Sequence, residues 1–520
     1  MEKPNEMKKS TVIIILVAII LIQVIARIYV GYKKEYFHID EAYSYSLMNY
    51  DKIQITENDD FYGNWHSKEY YLDYLTINED EKWNWTPVYE NQKNDVHPPL
   101  YYLLLRIAAM FTIGNFTKWT GIILNIIIWI FSAILVYFIA KELFKNQKMA
   151  LFTCLIVGLT LGALETTSYI RMYELANLFV LLITYLHIEL YEKQEIKAKD
   201  LITMGISILL GSLTHYYVIV YTAFLFIIFV VKYISKKQYK NLIKYVACFG
   251  IAAVLSILIF PYSLEHMFGG YRGDEAKTNL LSQDKLFNNL EQYLNIITKN
   301  LFSKLAIAFI AIYIILYIKK RKETIAEDKK INLLLIPEIL YFILIAQISS
   351  YKELRYIMPI MSIAMITVIY MSYCLAKKYI NEKKAQIVII IIFTIIIISP
   401  LFSNIQLEFT YTKMNNLAQK VQEKSEIPAL YIFNENNIRF LDDIYIFTIL
   451  DESYIMKYNE TTIENIQKVM KDKDISKGLI VVCNDGVDTD EVIKQIKETY
   501  NYQSEEEMQR LNCGTIKYLK

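Results

Sequence analysis

The chain has 520 residues, of which 54% are hydrophobic and 21% are charged, and its formal net charge is +1. This composition is too apolar for an ordinary soluble globular protein, so most of the chain is predicted to lie in lipid. A net charge near zero offers no bulk attraction to nucleic acid, and the placement of the lysines matters more than their total.

The first apolar run, at residues 11–30, is long enough to cross the hydrocarbon core of a bilayer. Lys8 and Lys9 precede it, as in a signal peptide, but no small-residue cleavage site follows, so a retained anchor is predicted. Ten further apolar runs bring the candidate spans to eleven. These runs lie at 119–140, 149–164, 172–190, 201–214, 216–231, 245–262, 301–318, 331–349, 356–375 and 385–402.

Segment 98–113 decides the sidedness of every later loop. If it does not cross the membrane, the short inner loops hold 21 lysines and arginines. The short outer connections then keep only Lys118, Arg171, Lys352 and Arg355. Basic loops stay cytoplasmic, so we expect segment 98–113 to be an interfacial helix on the outer side. The N-terminus is then cytoplasmic, and the loop 32–113 with its juxtamembrane helices is extracytoplasmic.

After the last apolar run the composition becomes that of a soluble domain, which predicts a membrane domain at 1–403 and a second domain at 404–520. In the second domain, 429–433 and 478–482 predict short buried strands, and 461–471 and 489–499 predict amphipathic helices. The predicted fold class is mainly α: a multi-pass membrane protein of about 11 transmembrane helices with a small extracytoplasmic α/β C-terminal domain.

Cysteine and glycine patterns indicate no nucleotide or metal site. The five cysteines form no CxxC pair, and Cys483 and Cys513 either pair in the C-terminal domain or stay reduced in its core. No P-loop is present, and no GxGxxG follows a strand. No nucleotide is available outside a bacterial cell. A membrane enzyme that works there would therefore need an activated donor carried by a lipid.

Two adjacent carboxylates, Asp40 and Glu41, stand a few residues beyond the first span. Neighbouring residues on a helix diverge by about 100°, so only one of the two can face a given substrate atom. Desolvation at the lip of an apolar cavity raises the pKa of a carboxyl group, which suits a general base. The alternative is that both residues only favour the dipole at a helix N-terminus.

Polar clusters with aromatic residues recur on the predicted outer side: Arg171 with Tyr173, His215 with Tyr216, and Arg355 with Tyr356. Arginine binds phosphate well because its planar fork makes charge-assisted bidentate bonds. A single arginine at this depth is otherwise an interface anchor. His97, before Pro98-Pro99, caps a helix, bonds the acidic loop or contacts substrate, and the sequence does not choose among these roles.

The motifs follow one another in a characteristic order. Asp-Glu comes after the first span, followed by His-Pro-Pro-Leu-Tyr-Tyr-Leu-Leu-Leu-Arg, Arg-Met-Tyr, Thr-His-Tyr and Arg-Tyr-Ile-Met-Pro. As an ordered set they resemble the polyprenyl-phosphate-sugar-dependent membrane glycosyltransferases of the GT-C fold, and within them the family 39 group of protein mannosyltransferases and aminoarabinose lipid A transferases. The resemblance covers about residues 1–400, and the tail lies outside it.

The resemblance implies a role for each matching residue. Asp40 is the implied catalytic base, and Glu41 is its motif partner. His97, Arg171, Tyr173, His215, Tyr216, Arg355 and Tyr356 are implied to bind substrate, with several lining the lipid-phosphate side of the cavity. Many relatives carry Gln-Glu before Ala-Arg-Met-Tyr, whereas this chain has Ser168 and Tyr169 there and Glu165 nearby. A second-carboxylate role in that loop is therefore in doubt.

The resulting hypothesis is an inverting glycosyltransferase on the outer face of the cell membrane. Its expected partners are a polyprenyl-phosphate-linked sugar donor and a lipid, protein or wall-polymer acceptor, with no nucleic acid. No cofactor is required, although the adjacent carboxylates could hold a divalent metal. The alternative is a polytopic lipid or polysaccharide transporter without transferase activity, which would not need a base beside the membrane.

The predicted sidedness can be tested with a cysteine introduced at Lys145, in a loop expected to be cytoplasmic. Intact cells treated with a membrane-impermeant thiol reagent should leave this cysteine unlabelled, and permeabilised cells should show labelling. Ready labelling from outside would overturn the orientation for every later loop.

Overall fold

The computed structural model describes residues 7–51, 54–300, 315, 329–399, 407–414, 416–434, 439–511 and 513–520. The chain divides into two compact units. The first unit comprises Met1–Val30, Val96–Tyr101 and Ile122–Glu408, and the second comprises Gly31–Asp95, Tyr102–Gly121 and Phe409–Lys520. The loop that follows the first span therefore packs with the C-terminal tail, an association that the predicted division of the chain did not include.

The helices are numbered in chain order over the described residues. They are α1 (Lys9–Lys33), α2 (Ile39–Asn49), α3 (Lys68–Leu75), α4 (Thr86–Asn94), α5 (Leu100–Ala109), α6 (Lys118–Phe144), α7 (Gln147–Gly158), α8 (Leu161–Ser168), α9 (Tyr173–Tyr191), α10 (Ala198–Ser212), α11 (Tyr216–Ser235), α12 (Tyr239–Ile259), α13 (Ser263–Phe268), α14 (Gly270–Leu281), α15 (Leu286–Asn300), α16 (Lys329–Ile348), α17 (Met358–Tyr379), α18 (Glu382–Ile398), α19 (Leu417–Gln422), α20 (Ile444–Phe447), α21 (Ile463–Met470) and α22 (Thr489–Tyr500).

Seven helices in the described part of the chain are long and apolar enough to cross a membrane. They are α1, α6, α9, α11, α12, α16 and α17. Helices α7 and α8 together make an eighth candidate, bent by 53° where they meet. The prediction of a multi-pass membrane protein is confirmed.

The predicted total of eleven spans is not confirmed. Helix α10 has 15 residues and α18 has 17, which is short for a span. The predicted run at 301–318 lies outside the described residues except for Ile315. Helix α5 covers most of the ambiguous segment 98–113, and its ten residues are too few to cross the hydrocarbon core. The length of α5 agrees with the expectation that this segment does not cross the membrane.

The second unit contains a six-stranded sheet with the strand order β1-β3-β2-β4-β6-β5. Its strands are β1 (Trp65–Ser67), β2 (Ala429–Phe433), β3 (Glu452–Lys457), β4 (Leu479–Asn484), β5 (Glu505–Arg510) and β6 (Gly514–Leu519). Strand β2 pairs in parallel with β3 and β4, and the remaining pairs are antiparallel. The first strand comes from the loop after the first span.

The predicted strands and helices of the tail are present as β2, β4, α21 and α22. Both strands are buried along their whole length because they occupy the middle of the sheet, which explains their continuous apolar sequence. Leu430, Val481 and Ile496 belong to the core that the helices cover. Within the described residues, no disulfide joins Cys483 to Cys513, and both thiols are buried.

Candidate active site

Helix α2 begins at the Asp40-Glu41 motif. The His38 ring Nδ1 accepts a hydrogen bond from the Asp40 amide at 3.1 Å, and Glu41 Oε2 accepts one from the His38 amide at 2.7 Å. These bonds satisfy amide groups that the first turn of a helix otherwise leaves without partners. Both acidic residues lie in that first turn, where negative charge complements the helix dipole.

Glu41 is buried and held in an ion pair. Its Oε2 lies 2.9 Å from Lys34 Nζ, and both side chains have 0% exposure. Lys34 Nζ also donates to the Phe409 carbonyl oxygen. A paired carboxylate with no exposed surface is out of reach of a substrate in this conformation. The geometry gives Glu41 a structural role at the start of α2.

Asp40 has a different environment from its neighbour. Its side chain is 23% exposed, and Oδ2 lies 3.7 Å from His38 Nδ1. Helix geometry turns Asp40 away from the buried position of Glu41. Asp40 is therefore the carboxylate of the pair that a solvent-borne or membrane-surface group can reach, which supports it as the base.

His97 and Arg171 meet in the first unit, although 74 residues separate them. Arg171 Nη2 approaches His97 Nδ1 at 3.5 Å. Beyond Pro98-Pro99, the Leu100 amide donates to the Leu213 carbonyl at 3.0 Å. That bond ties the start of α5 to the segment that leads into His215. The His-Pro-Pro element thus joins three separate parts of the sequence.

His215 lies at the centre of this group. Its ring centroid is 5.8 Å from that of His97, 5.4 Å from that of Tyr173 and 4.7 Å from that of Tyr217. His215 Nδ1 accepts a hydrogen bond from the Tyr217 amide at 3.0 Å and so caps α11. Burial, together with the positive charges of His97 and Arg171, lowers the pKa of His215 well below its ordinary value.

Arg355 adds a second guanidinium group to the same unit. Its Nη1 donates to the Tyr169 hydroxyl at 3.1 Å, and its Nε lies 2.8 Å from Glu353 Oε2. The Tyr169 ring stacks on Tyr173 at 5.8 Å, which connects Arg355 with the histidines. The arginine–histidine cluster is defined here as His97, Arg171, His215 and Arg355 with the rings of Tyr169, Tyr173, Tyr217 and Tyr356.

Three helices point their N-termini at this cluster. Arg171 stands two residues before α9, His215 caps α11, and Arg355 stands three residues before α17. The N-terminal end of a helix carries a partial positive charge because its first amide groups lack partners within the helix. Buried arginines and helix N-termini together make a strongly positive environment, which favours an anion.

Six of the seven predicted substrate-binding residues meet in the cluster, and Tyr216 does not. The Tyr216 hydroxyl is 2.8 Å from His266 Nδ1. Its neighbour Tyr217 faces the cluster instead, with its ring 5.7 Å from that of Tyr356. Adjacent positions at a helix start point in different directions, so the sequence motif alone does not indicate which tyrosine faces inward.

Two further charged residues near the cluster were not among the predicted substrate-binding residues. Glu353 pairs with Arg355, and the positive charge of Arg272 acts on Glu353 and Tyr356. Arg272 comes from the glycine-containing segment at 269–273, and it also forms an ion pair with Glu275 at 2.8 Å. The glycines on either side of Arg272 are the sequence signal that could have indicated it.

No group of three or more His, Cys, Asp or Glu side chains is arranged to hold a metal ion among the residues that the structure describes.

Comparison with known proteins identifies a similar family model and similar folds. Residues 96–260 match the family model described as dolichyl-phosphate-mannose-protein mannosyltransferase. That segment contains six of the eight residues of the arginine–histidine cluster, all except Arg355 and Tyr356. No curated protein sequence matches this chain significantly.

Among solved structures, this chain is similar to ArnT from Cupriavidus metallidurans bound to undecaprenyl phosphate. The TM-score is 0.51 at 8% identity, and 98% of each chain is covered. It is also similar to the oligosaccharyltransferase AglB from Archaeoglobus fulgidus in complex with an inhibitory peptide and a dolichol-phosphate. There the TM-score is 0.47 at 11% identity, with 92% of this chain and 69% of that chain covered.

The resemblance to GT-C membrane glycosyltransferases that the ordered motifs predicted is confirmed. The fold similarity to ArnT extends over the C-terminal tail as well, beyond the predicted range of about 1–400.

The buried Lys34–Glu41 pair can be tested by removing one charge. Glu41→Gln or Lys34→Met should destabilise the folded protein by about 3–5 kcal/mol because the remaining charge stays buried without its partner. Asp40→Asn is the matched control, since that side chain is partly exposed and should change stability little. Thermal unfolding of the purified variants measures the difference, and equal melting temperatures for Glu41→Gln and Asp40→Asn would contradict the structural role of Glu41.

The lowered pKa of His215 predicts that the folded protein loses stability in acid. Its pKa is lowered in the folded protein, so the unfolded chain binds a proton first as the pH falls below about 6.5. The folded state should therefore lose stability between about pH 7 and pH 5. His215→Asn keeps a side chain that caps α11 but cannot titrate, so its melting temperature should fall less over this range. Identical pH profiles for the variant and the unchanged protein would count against a buried neutral His215.

Proposed function

We propose that this protein is an inverting glycosyltransferase that moves a sugar from a polyprenyl-phosphate donor to an acceptor hydroxyl on the outer face of the membrane. The observation that carries the proposal is the arginine–histidine cluster. Arg171 is 4% exposed, Arg355 is 9% exposed and His215 is 5% exposed. Two buried guanidinium groups beside the N-terminal ends of helices form an environment that suits an anionic headgroup.

A lipid phosphate fits this environment better than a soluble anion. The cluster is built on helices α9, α11 and α17, all of which are long and apolar enough to cross a membrane. A polyprenyl chain would lie in hydrocarbon while its phosphate reached the helix ends. The matching family is named for dolichyl-phosphate-mannose, and the ArnT structure is bound to undecaprenyl phosphate. Both are polyprenyl phosphates, which supports the same donor class here.

The aromatic rings of the cluster suit the sugar. Tyr169, Tyr173 and Tyr217 present flat apolar faces with hydroxyl groups, as pockets for amphipathic ligands do. Arg355 holds the Tyr169 hydroxyl and so connects the phosphate ligands with these rings.

The proposed reaction is a single displacement. Asp40 accepts the proton of the acceptor hydroxyl, and the acceptor oxygen attacks the anomeric carbon. The bond between that carbon and the phosphate oxygen breaks, and the configuration at the carbon inverts. The bonding electrons leave with the polyprenyl phosphate, whose developing negative charge is stabilised by Arg171 and Arg355. His215 is neutral near pH 7 because of its lowered pKa, so it can only donate or accept a hydrogen bond.

The outer face is proposed from the distribution of lysine and arginine, which favours cytoplasmic loops on the opposite side. A cytoplasmic N-terminus and an extracytoplasmic second unit follow from the same argument. The acceptor class, whether protein, lipid or wall polymer, is open. The scheme needs no metal ion.

Asp40→Asn tests the assignment of the base. Cells that express this variant should lack the product glycan, as a deletion strain does, because loss of a general base lowers the rate by about 10²–10⁴-fold. Mass analysis of envelope glycans compares the deletion strain complemented with the unchanged protein, Asp40→Asn or the control Asp51→Asn, an exposed residue of the same loop. Full complementation by Asp40→Asn would exclude Asp40 as the base.

A further inference from the structure

A second polar network lies inside the first unit, within the candidate spans. It consists of Gln23, Arg27, Asn125, Trp129, Thr167 and Glu174, each at most 1% exposed. The residues come from α1, α6, α8 and α9. Ionisable side chains within membrane spans are costly, so their presence calls for a specific role. The mechanism proposed above uses none of them.

Arg27 is bound to the junction between α7 and α8. Its Nη1 donates to the carbonyl of Gly158, the last residue of α7, at 2.9 Å, and its Nε donates to Thr167 Oγ1 at 3.0 Å. The two helices bend by 53° at this junction. A break in a span exposes carbonyl groups that lipid cannot satisfy, and the Arg27 guanidinium supplies the donor.

Gln23 of α1 contacts the same junction. Gln23 Nε2 donates to the Cys154 carbonyl at 2.8 Å, and Gln23 Oε1 accepts from Trp129 Nε1 at 3.1 Å. A Cβ atom placed on Gly158 would stand 2.2 Å from Gln23 Nε2. A side chain at Gly158 would therefore displace the Gln23 amide and its two hydrogen bonds. Arg27 lies one helical turn further along the same face of α1.

The network continues directly into the segment that carries Arg171. Thr167 Oγ1 lies 2.9 Å from Glu174 Oε2, across the turn between α8 and α9. Asn125 Nδ2 donates to the carbonyl of Thr167 at 3.1 Å and to that of Tyr169 at 3.0 Å. The backbone on both sides of Ser168 is thereby held, and Arg171 follows two residues after Tyr169.

We infer that Arg27, Asn125, Thr167 and Glu174 are positioning residues that fix the 168–171 segment, so that Arg171 and Tyr169 meet a lipid phosphate in the arginine–histidine cluster. The inference rests on the proposed function. A displacement of about 1 Å at a binding group can lower activity about 100-fold, so a preformed segment has a clear advantage. The arrangement also gives the bent span a role, because α8, which follows the bend, leads directly into the 168–171 segment before α9.

The test is the affinity of the full-length protein, in lipid nanodiscs, for undecaprenyl phosphate, measured by native mass spectrometry. Thr167→Val removes the shared hydroxyl and should weaken binding by about tenfold or more. Thr167→Ser keeps the hydroxyl and should bind as the unchanged protein does. The matched control is Thr367→Val, which removes the hydroxyl that donates to buried Glu338 at 2.6 Å in another pair of spans.

Each result has a defined meaning. Unchanged affinity in Thr167→Val, or equal weakening in Thr367→Val, would overturn the positioning role. Absence of binding by the unchanged protein would overturn the proposed function itself, and the inference with it. If Thr167→Val does not fold, Asn125→Leu provides the same test, with hydrogen exchange of the 168–172 amides as a second readout. Faster exchange there with weaker binding supports the inference, and unaltered exchange with unaltered affinity contradicts it.

Discussion

Hydrocarbon provides no hydrogen-bond partners, so every polar group inside a span must be satisfied by the protein. This constraint explains the least regular part of the first unit. The bend between α7 and α8 frees carbonyl groups, and Arg27 on α1 donates to one of them. Its charge lies 3.8 Å from the centre of the Trp129 ring and is complemented by Glu174. The buried polar network is thus the consequence of a break in an apolar span.

The same requirement applies to the helix ends in the arginine–histidine cluster. Where α9, α11 and α17 begin, their first amide groups cannot bond within the helix, and Arg171, His215 and Arg355 stand beside them. The two guanidinium groups carry positive charge there, which an anionic headgroup can complement. In the second unit, the two adjacent carboxylates Asp40 and Glu41 have different environments. Glu41 is neutralised by Lys34 and stabilises the helix start, while Asp40 stays accessible for chemistry.

Local patterns predicted the features that depend on local sequence. Strands β2 and β4 are continuous apolar runs because both faces of each are buried, and most of the apolar runs form long helices. Strand β5 reads Glu-Glu-Glu-Met-Gln-Arg, which carries no strand pattern, and only its pairing with β6 makes it a strand. The contact of Arg27 with Gly158 spans 131 residues of sequence, so no local pattern could show it. Which of Tyr216 and Tyr217 faces the arginine–histidine cluster depends on the orientation of a single helix turn.

The most direct test of the account is whether the purified protein cleaves the bond between sugar and lipid phosphate. Vesicles carrying the protein, polyprenyl-phosphate-linked sugars extracted from the source membrane, and acceptor-containing envelope extract would be followed by liquid chromatography and mass spectrometry. The account predicts that free polyprenyl phosphate accumulates in step with glycosylated acceptor, and that neither forms without the protein. A protein that moves the intact sugar-linked lipid between leaflets, with no release of polyprenyl phosphate, would contradict it.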